Sequence, residues 1–100
     1  MTQVSPDTQQ RAATRAERIR FAILADKRID VLARVVILFH RLNVEIVGLH
    51  LVRRHGSETM ILGVTVAAQR EHARRMEAHL FKVVHVRSVE TMAERKNGNS

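Results

Sequence analysis

One hundred residues with 17 Lys and Arg against 10 Asp and Glu, a net charge of +7, and three Phe as the whole aromatic complement describe one small basic domain with an aliphatic core. The lack of cysteine excludes a disulfide framework and any thiolate metal site, and it fits a reducing cytoplasmic compartment. No run approaches the roughly 18 continuous apolar residues of a membrane span, and the polar N-terminus has no signal-peptide apolar segment, so no membrane role is expected.

Residues 1–17 are polar, balanced in charge and carry the only proline, so they are expected to form a flexible arm, with a short helix over 9–18 as an option. The globular domain is placed at 18–90. Residues 18–25 alternate Ile19, Phe21 and Ile23, the pattern of a first strand. After a polar loop, Asp30 stands where an N-cap would accept from free helix amides. From Val31 the positions Leu32, Val35, Val36, Phe39 and Leu42 keep the 3.6-residue rhythm of one helix face. Asn43 tolerates the left-handed conformation that ends helices, and β-branched density then returns through Val44, Ile46 and Val47. Gly48 inside that strand marks a bulge or a close approach.

The turn at 53–58 joins this strand to a third at 59–67, in which Met60, Leu62, Val64 and Val66 alternate. A second helix follows over 69–82 with Ala73, Met76 and Leu80 inward, then a fourth strand at 83–90 and a polar tail at 91–100. The order β-α-β-β-α-β predicts an α+β, ferredoxin-like fold: a four-stranded antiparallel sheet with two helices on one face. The other face is left apolar and uncovered, which predicts a partner.

Catalytic chemistry is hard to assemble from this chain. The six histidines include no i, i+4 pair and have few carboxylates beside them, so no metal site is predicted. The glycines are isolated rather than gathered in a phosphate loop, and no serine has a nucleophile-elbow setting. The basic residues are dispersed and base-stacking Trp and Tyr are missing, which places nucleic-acid binding behind an acidic protein partner or a plain solvated face.

The stretch VLARVVILFHRLNVEIVGLHL resembles the first helix and second strand of ACT domains, and most of all those of the small regulatory subunit of acetohydroxyacid synthase (acetolactate synthase). The stretch HLFKVVHVRSVE is similar to the Gln-Leu-x-Lys-Leu-Val-Asp-Val signature that ends that subunit's ACT domain. Leu80, Lys82, Val84 and Val86 match it, Val83 stands for a leucine and His85 for the aspartate. The resemblance covers about residues 18–90 and implies an ACT domain that pairs as a homodimer through its sheet. It further implies a non-catalytic regulatory subunit that binds and activates or stabilises a separate catalytic large subunit, in branched-chain amino-acid biosynthesis. That subunit, not this chain, would carry thiamin diphosphate, Mg and FAD.

Many such subunits bind valine as an allosteric feedback inhibitor. The effector-site positions by resemblance are Asp30, Val31, Leu32, Glu45 and Ile46. Here Asp30 replaces the glycine before Val-Leu, Glu45 replaces the asparagine before Ile, and Lys27 replaces a polar asparagine in the loop. Two added carboxylates oppose an amino-acid carboxylate by Coulomb repulsion, so the short, valine-insensitive type is expected. The competing reading is a free-standing ACT domain that senses another small molecule, a cationic one drawn by Asp30 and Glu45.

Overall fold

The computed structural model describes residues 17–94. Six elements follow in the predicted order: β1 (Glu17–Asp26), α1 (Ile29–Arg41), β2 (Glu45–Arg53), β3 (Thr59–Ala68), α2 (Arg70–Leu80) and β4 (Val86–Glu94). The sheet order is β2-β3-β1-β4, with every neighbouring pair antiparallel. This is the split βαβ arrangement, in which each helix carries the chain over one strand to the next but one. The expected arm, apart from Glu17, and residues 95–100 of the expected tail lie outside the described residues.

One core forms between the sheet and the helices. Along β1, Ile19, Phe21, Ile23 and Ala25 are buried, and β3 answers with Met60, Leu62, Val64 and Val66. The α1 spine is Val31, Val35 and Phe39 at i, i+4 and i+8, and α2 contributes Ala73, Met76 and Leu80. The inward line of α1 is thus turned slightly from the predicted one: Val31 takes a core place and Val36 is only half-buried. Phe21 and Phe39 tie sheet to helix, with ring centroids 5.8 Å apart and planes tilted by 36°.

The ends of α1 show one correct expectation and one correction. Asn43 has φ +59°, its N–H donates to the His40 carbonyl, and the Val44 N–H reaches back to the Phe39 carbonyl. Both bonds belong to a Schellman ending with Asn in the left-handed place. At the other end Asp30 is not the N-cap. The helix starts at Ile29 with Arg28 in the extended cap position, so Asp30 sits inside the first turn.

Gly48 does follow a bulge: Ile46 pairs with Val66 and Gly48 with Thr65, which leaves Val47 extra. The fourth strand needs a larger correction. It runs from Val86 to Glu94, so Val83, Val84 and His85 form the turn before it and residues 91–94 are strand rather than tail. Helix α2 ends at Leu80, and His85 turns the chain with φ +76°. Within β4, Val86 pairs with Ala25 and Ser88 with Leu24, so Arg87 is a second bulged residue.

The outer sheet face is open to solvent and apolar at its centre. Across it Val52 pairs with Ile61, Ile61 with Leu24 and Leu24 with Ser88; Val52 and Ile61 are 48% and 43% exposed. At Gly63 an added Cβ would stand 2.5 Å from His50 Cε1, so the missing side chain lets the imidazole lie across the strand. Its cross-strand partners, Ala22 and His50, leave that row nearly flat.

Candidate functional site

Sequence and structure both lead to the loop between β1 and α1. Its backbone is tied from two sides: the Lys27 N–H donates to the Glu58 carbonyl at 2.9 Å and the Asp26 N–H to the His85 carbonyl at 2.9 Å. Beside it lies a small pocket of about 70 Å³, lined by Lys27, Arg28, Ile29, Leu32, Leu51, Arg53 and Met60. Ligand pockets of drug size measure about 300–1,000 Å³, so this one holds only a small group or the end of a larger molecule. Its floor is aliphatic. Its rim is cationic: Lys27 from the loop, Arg28 at the helix cap and Arg53 at the end of β2.

Asp30 adds little negative charge to that rim. Arg28 Nε donates to its Oδ1 at 3.0 Å and Arg34 Nε stands 3.7 Å from Oδ2. The Arg28 guanidinium, with help from the residue's own backbone N–H, holds the Asp30 carboxyl below the usual carboxylate range. The expectation that Asp30 repels an anion is therefore replaced by a neutralised carboxylate under a net positive rim.

Glu45 is not brought to this site within one chain. It opens β2 beyond the far end of α1, a helix of 13 residues or about 20 Å, whereas the pocket meets β2 at Leu51 and Arg53. A cationic ligand held between Asp30 and Glu45 has no single-chain site here. Val31 is fully buried in the core, and Ile46 packs against it half-buried; of the five effector positions only Leu32 faces the pocket.

The signature residues divide among different elements. Leu80 closes α2 in the core, Lys82 and Val84 are exposed in the following turn, and only Val86 is on β4. Next to them is a constellation that sequence reasoning missed. Asp26, the last residue of β1, accepts from His85 Nδ1 at 3.0 Å and from Arg87 Nε at 2.6 Å. The Arg87 hydrogen bond, opposed in part by burial and assisted by His85, holds the Asp26 carboxyl below its ordinary value. The bulge at Arg87 re-aims its side chain, and the positive φ of His85 turns the backbone so that the ring reaches Asp26. The only local signal was the adjacency of His85 and Arg87; the acid is 59 residues away from the histidine.

Among the described residues no three His, Asp or Glu side chains are grouped to hold a metal ion. No described helix is long and apolar enough to cross a membrane.

No family model matches the chain, and no curated protein matches it. Solved structures do. The C-terminal domain of the MgtC protein from Mycobacterium tuberculosis is 14% identical with a TM-score of 0.66, covering 82% of this chain and 92% of that one. The ACT domain from the GTP pyrophosphokinase of Chlorobium tepidum is 12% identical with a TM-score of 0.65, covering 77% and 99%. An uncharacterised protein from Thermotoga maritima is 15% identical with a TM-score of 0.65, covering 80% and 99%. At such identities the likeness is one of architecture: the chain has the ferredoxin-like βαββαβ fold that ACT domains share.

Proposed function

We propose that this protein is a non-catalytic regulatory subunit that binds and activates or stabilises an acetolactate synthase catalytic subunit. The observation that carries the reading is the place of the resemblance within the fold: VLARVVILFHRLNVEIVGLHL spans α1, the Asn43 turn and β2 of an ACT-type domain. The second stretch supports it less evenly, since its matching residues run from the end of α2 into β4.

Insensitivity to valine is part of the proposal, now on altered grounds. The Asp30 side chain, held by Arg28 in the first turn of α1, stands beside the amides that an amino-acid carboxylate would need. The small volume of the pocket argues in the same direction. The test is co-purification with the large subunit of the same organism, followed by activity with and without millimolar valine. Binding with a gain in activity that valine leaves unchanged supports the proposal. No binding and no gain overturns it; valine inhibition overturns the insensitivity.

A second reading is favoured by the pocket itself: an ACT domain that senses a small anion with an aliphatic end, held by Lys27, Arg28 and Arg53 over Leu32 and Leu51. A native-state ligand at 100 times its dissociation constant stabilises by about 2.7 kcal/mol. A thermal-shift series of aliphatic carboxylates and matched amines should raise the melting temperature only with the acids, and Arg53→Ala should remove that rise.

A further inference from the structure

The uncovered outer sheet face has a pattern that fits itself. A two-fold axis parallel to the strands and midway between β1 and β3 would set β1 over β3, and β4 over β2, of a facing copy at equal height. Because Leu24 and Ile61 are register partners, the axis lays each against the other's counterpart. Glu90 and His50 end one row, through Ala22 and Gly63, so the Glu90 carboxylate meets the His50 ring of the second copy. Met92 and Gly48 end the next row, through Arg20 and Thr65, so an exposed thioether falls over a position without a side chain.

We infer that this face is a symmetric interface between two copies of the chain, stacked sheet on sheet. Three features choose a second copy over other occupants. Under one operation Leu24 meets Ile61, Met92 meets Gly48 and Glu90 meets His50, as an isologous contact requires, while the ends of the apolar row set Ser88 against Val52. The imidazole of His50, seated across Gly63, keeps the row level for a facing sheet about 10 Å away. Arg18 and Arg20 are the charges that β1 brings to this face, and Arg20 already has an interaction within its own chain. The alternative of joining edges is less suited, because the Val47 bulge interrupts the β2 ladder.

Four strands about 4.8 Å apart and four outward rows about 6.8 Å apart cover about 19 by 27 Å, so two faces bury on the order of 1,000 Å². That is the lower limit for a specific interface. The inference rests on the sheet and not on the functional reading above, so either can fail alone.

The test is sedimentation equilibrium of the full chain with two kinds of variant. Wild type should sediment as a dimer, and Ile61→Lys, at an exposed position, as a monomer with an unchanged circular dichroism spectrum. The second kind uses the lack of native cysteine. In Gly48→Cys/Met92→Cys the two thiols of one chain are three strands apart, about 14 Å, beyond the reach of a disulfide. A short bis-maleimide linker, long enough for the roughly 10 Å between facing sheets and too short for the roughly 14 Å within one chain, should therefore produce a covalent dimer from the double variant and from neither single one. A monomeric wild type, a dimer indifferent to Ile61→Lys, or cross-linking by Gly48→Cys alone, as edge-to-edge β2 pairing would give, each overturns the inference.

Discussion

His85 holds φ +76° and its ring pairs with Asp26, so one residue carries a backbone cost and a side-chain gain together. Left-handed backbone costs an L-residue with a Cβ about 1–2 kcal/mol, and glycine avoids it. His85→Ala loses the pair and keeps the cost, whereas His85→Gly loses the pair alone. Chemical denaturation should therefore find His85→Gly more stable than His85→Ala by about 1 kcal/mol, an inversion of the usual Gly–Ala order. Asp26 gives a second prediction. Its carboxyl titrates lower in the folded state than its ordinary 3.8, so its contribution is complete above that value and fades as the pH falls through the folded one. In Asp26→Asn the loss of melting temperature on acidification should be shallower, and the two proteins should converge once Asp26 of the wild type is protonated in the folded as well as the unfolded state. A parallel pair of acid titration curves would refute this account of Asp26.

At the scale of elements, what was legible in the sequence depended on local signals. The alternation of β1 and β3, the Asn43 helix ending and the Gly48 bulge each rest on residues within a few positions of one another, and all are found. Val83, Val84 and Val86 look like a strand in sequence, but the helix ends at Leu80 and the chain goes through a turn that closes with the positive φ of His85 before β4 begins. Asp30 was misread as a cap because its side chain suits that role, although Arg28 occupies the place. The seat of His50 on Gly63 could have been suspected from a glycine inside a strand. For the pairing of Asp26 with His85 and Arg87 the local trace was only the nearness of the two basic residues, since the acid is 59 residues away from the histidine.

Neither helix has a side-chain hydrogen bond from its cap residue, so each leaves first-turn amides without that partner. At α2 the cap is the exposed Gln69. Gln69→Asp supplies both an acceptor and a charge suited to the helix dipole, and should stabilise by about 1 kcal/mol. For a domain of this size that corresponds to a rise of about 4–8 °C in melting temperature, measurable by calorimetry. The same substitution at the centre of the exposed α2 face, at Arg74, should give no such gain.

For the whole molecule, 17 basic against 10 acidic side chains leave an excess that the ion pairs cannot absorb. The pairs that tie Arg28 and Arg34 to Asp30, and Arg70 to Glu17, are on exposed or half-exposed side chains and contribute little. Self-repulsion among the remaining cations is the larger effect. Raising ionic strength from about 0.01 M to about 0.15 M shortens the screening length from about 30 Å to about 8 Å. The melting temperature should rise over that range, and a fall would show that the pairs outweigh the repulsion.

The sheet order also sets a timetable. β1 is the first strand to leave the ribosome, yet its neighbours are β3, beginning at Thr59, and β4, beginning at Val86. Its register joins Asp26 to Thr59 on one side and Arg18 to Glu94 on the other. Until β3 emerges β1 waits with both edges unpaired, and after that its second edge waits for β4 while α2 closes locally. At about 5–20 residues per second that wait lasts seconds. A nascent chain halted before Val86 would keep one edge of β1 bare, with Phe21 and Ile23 beside it.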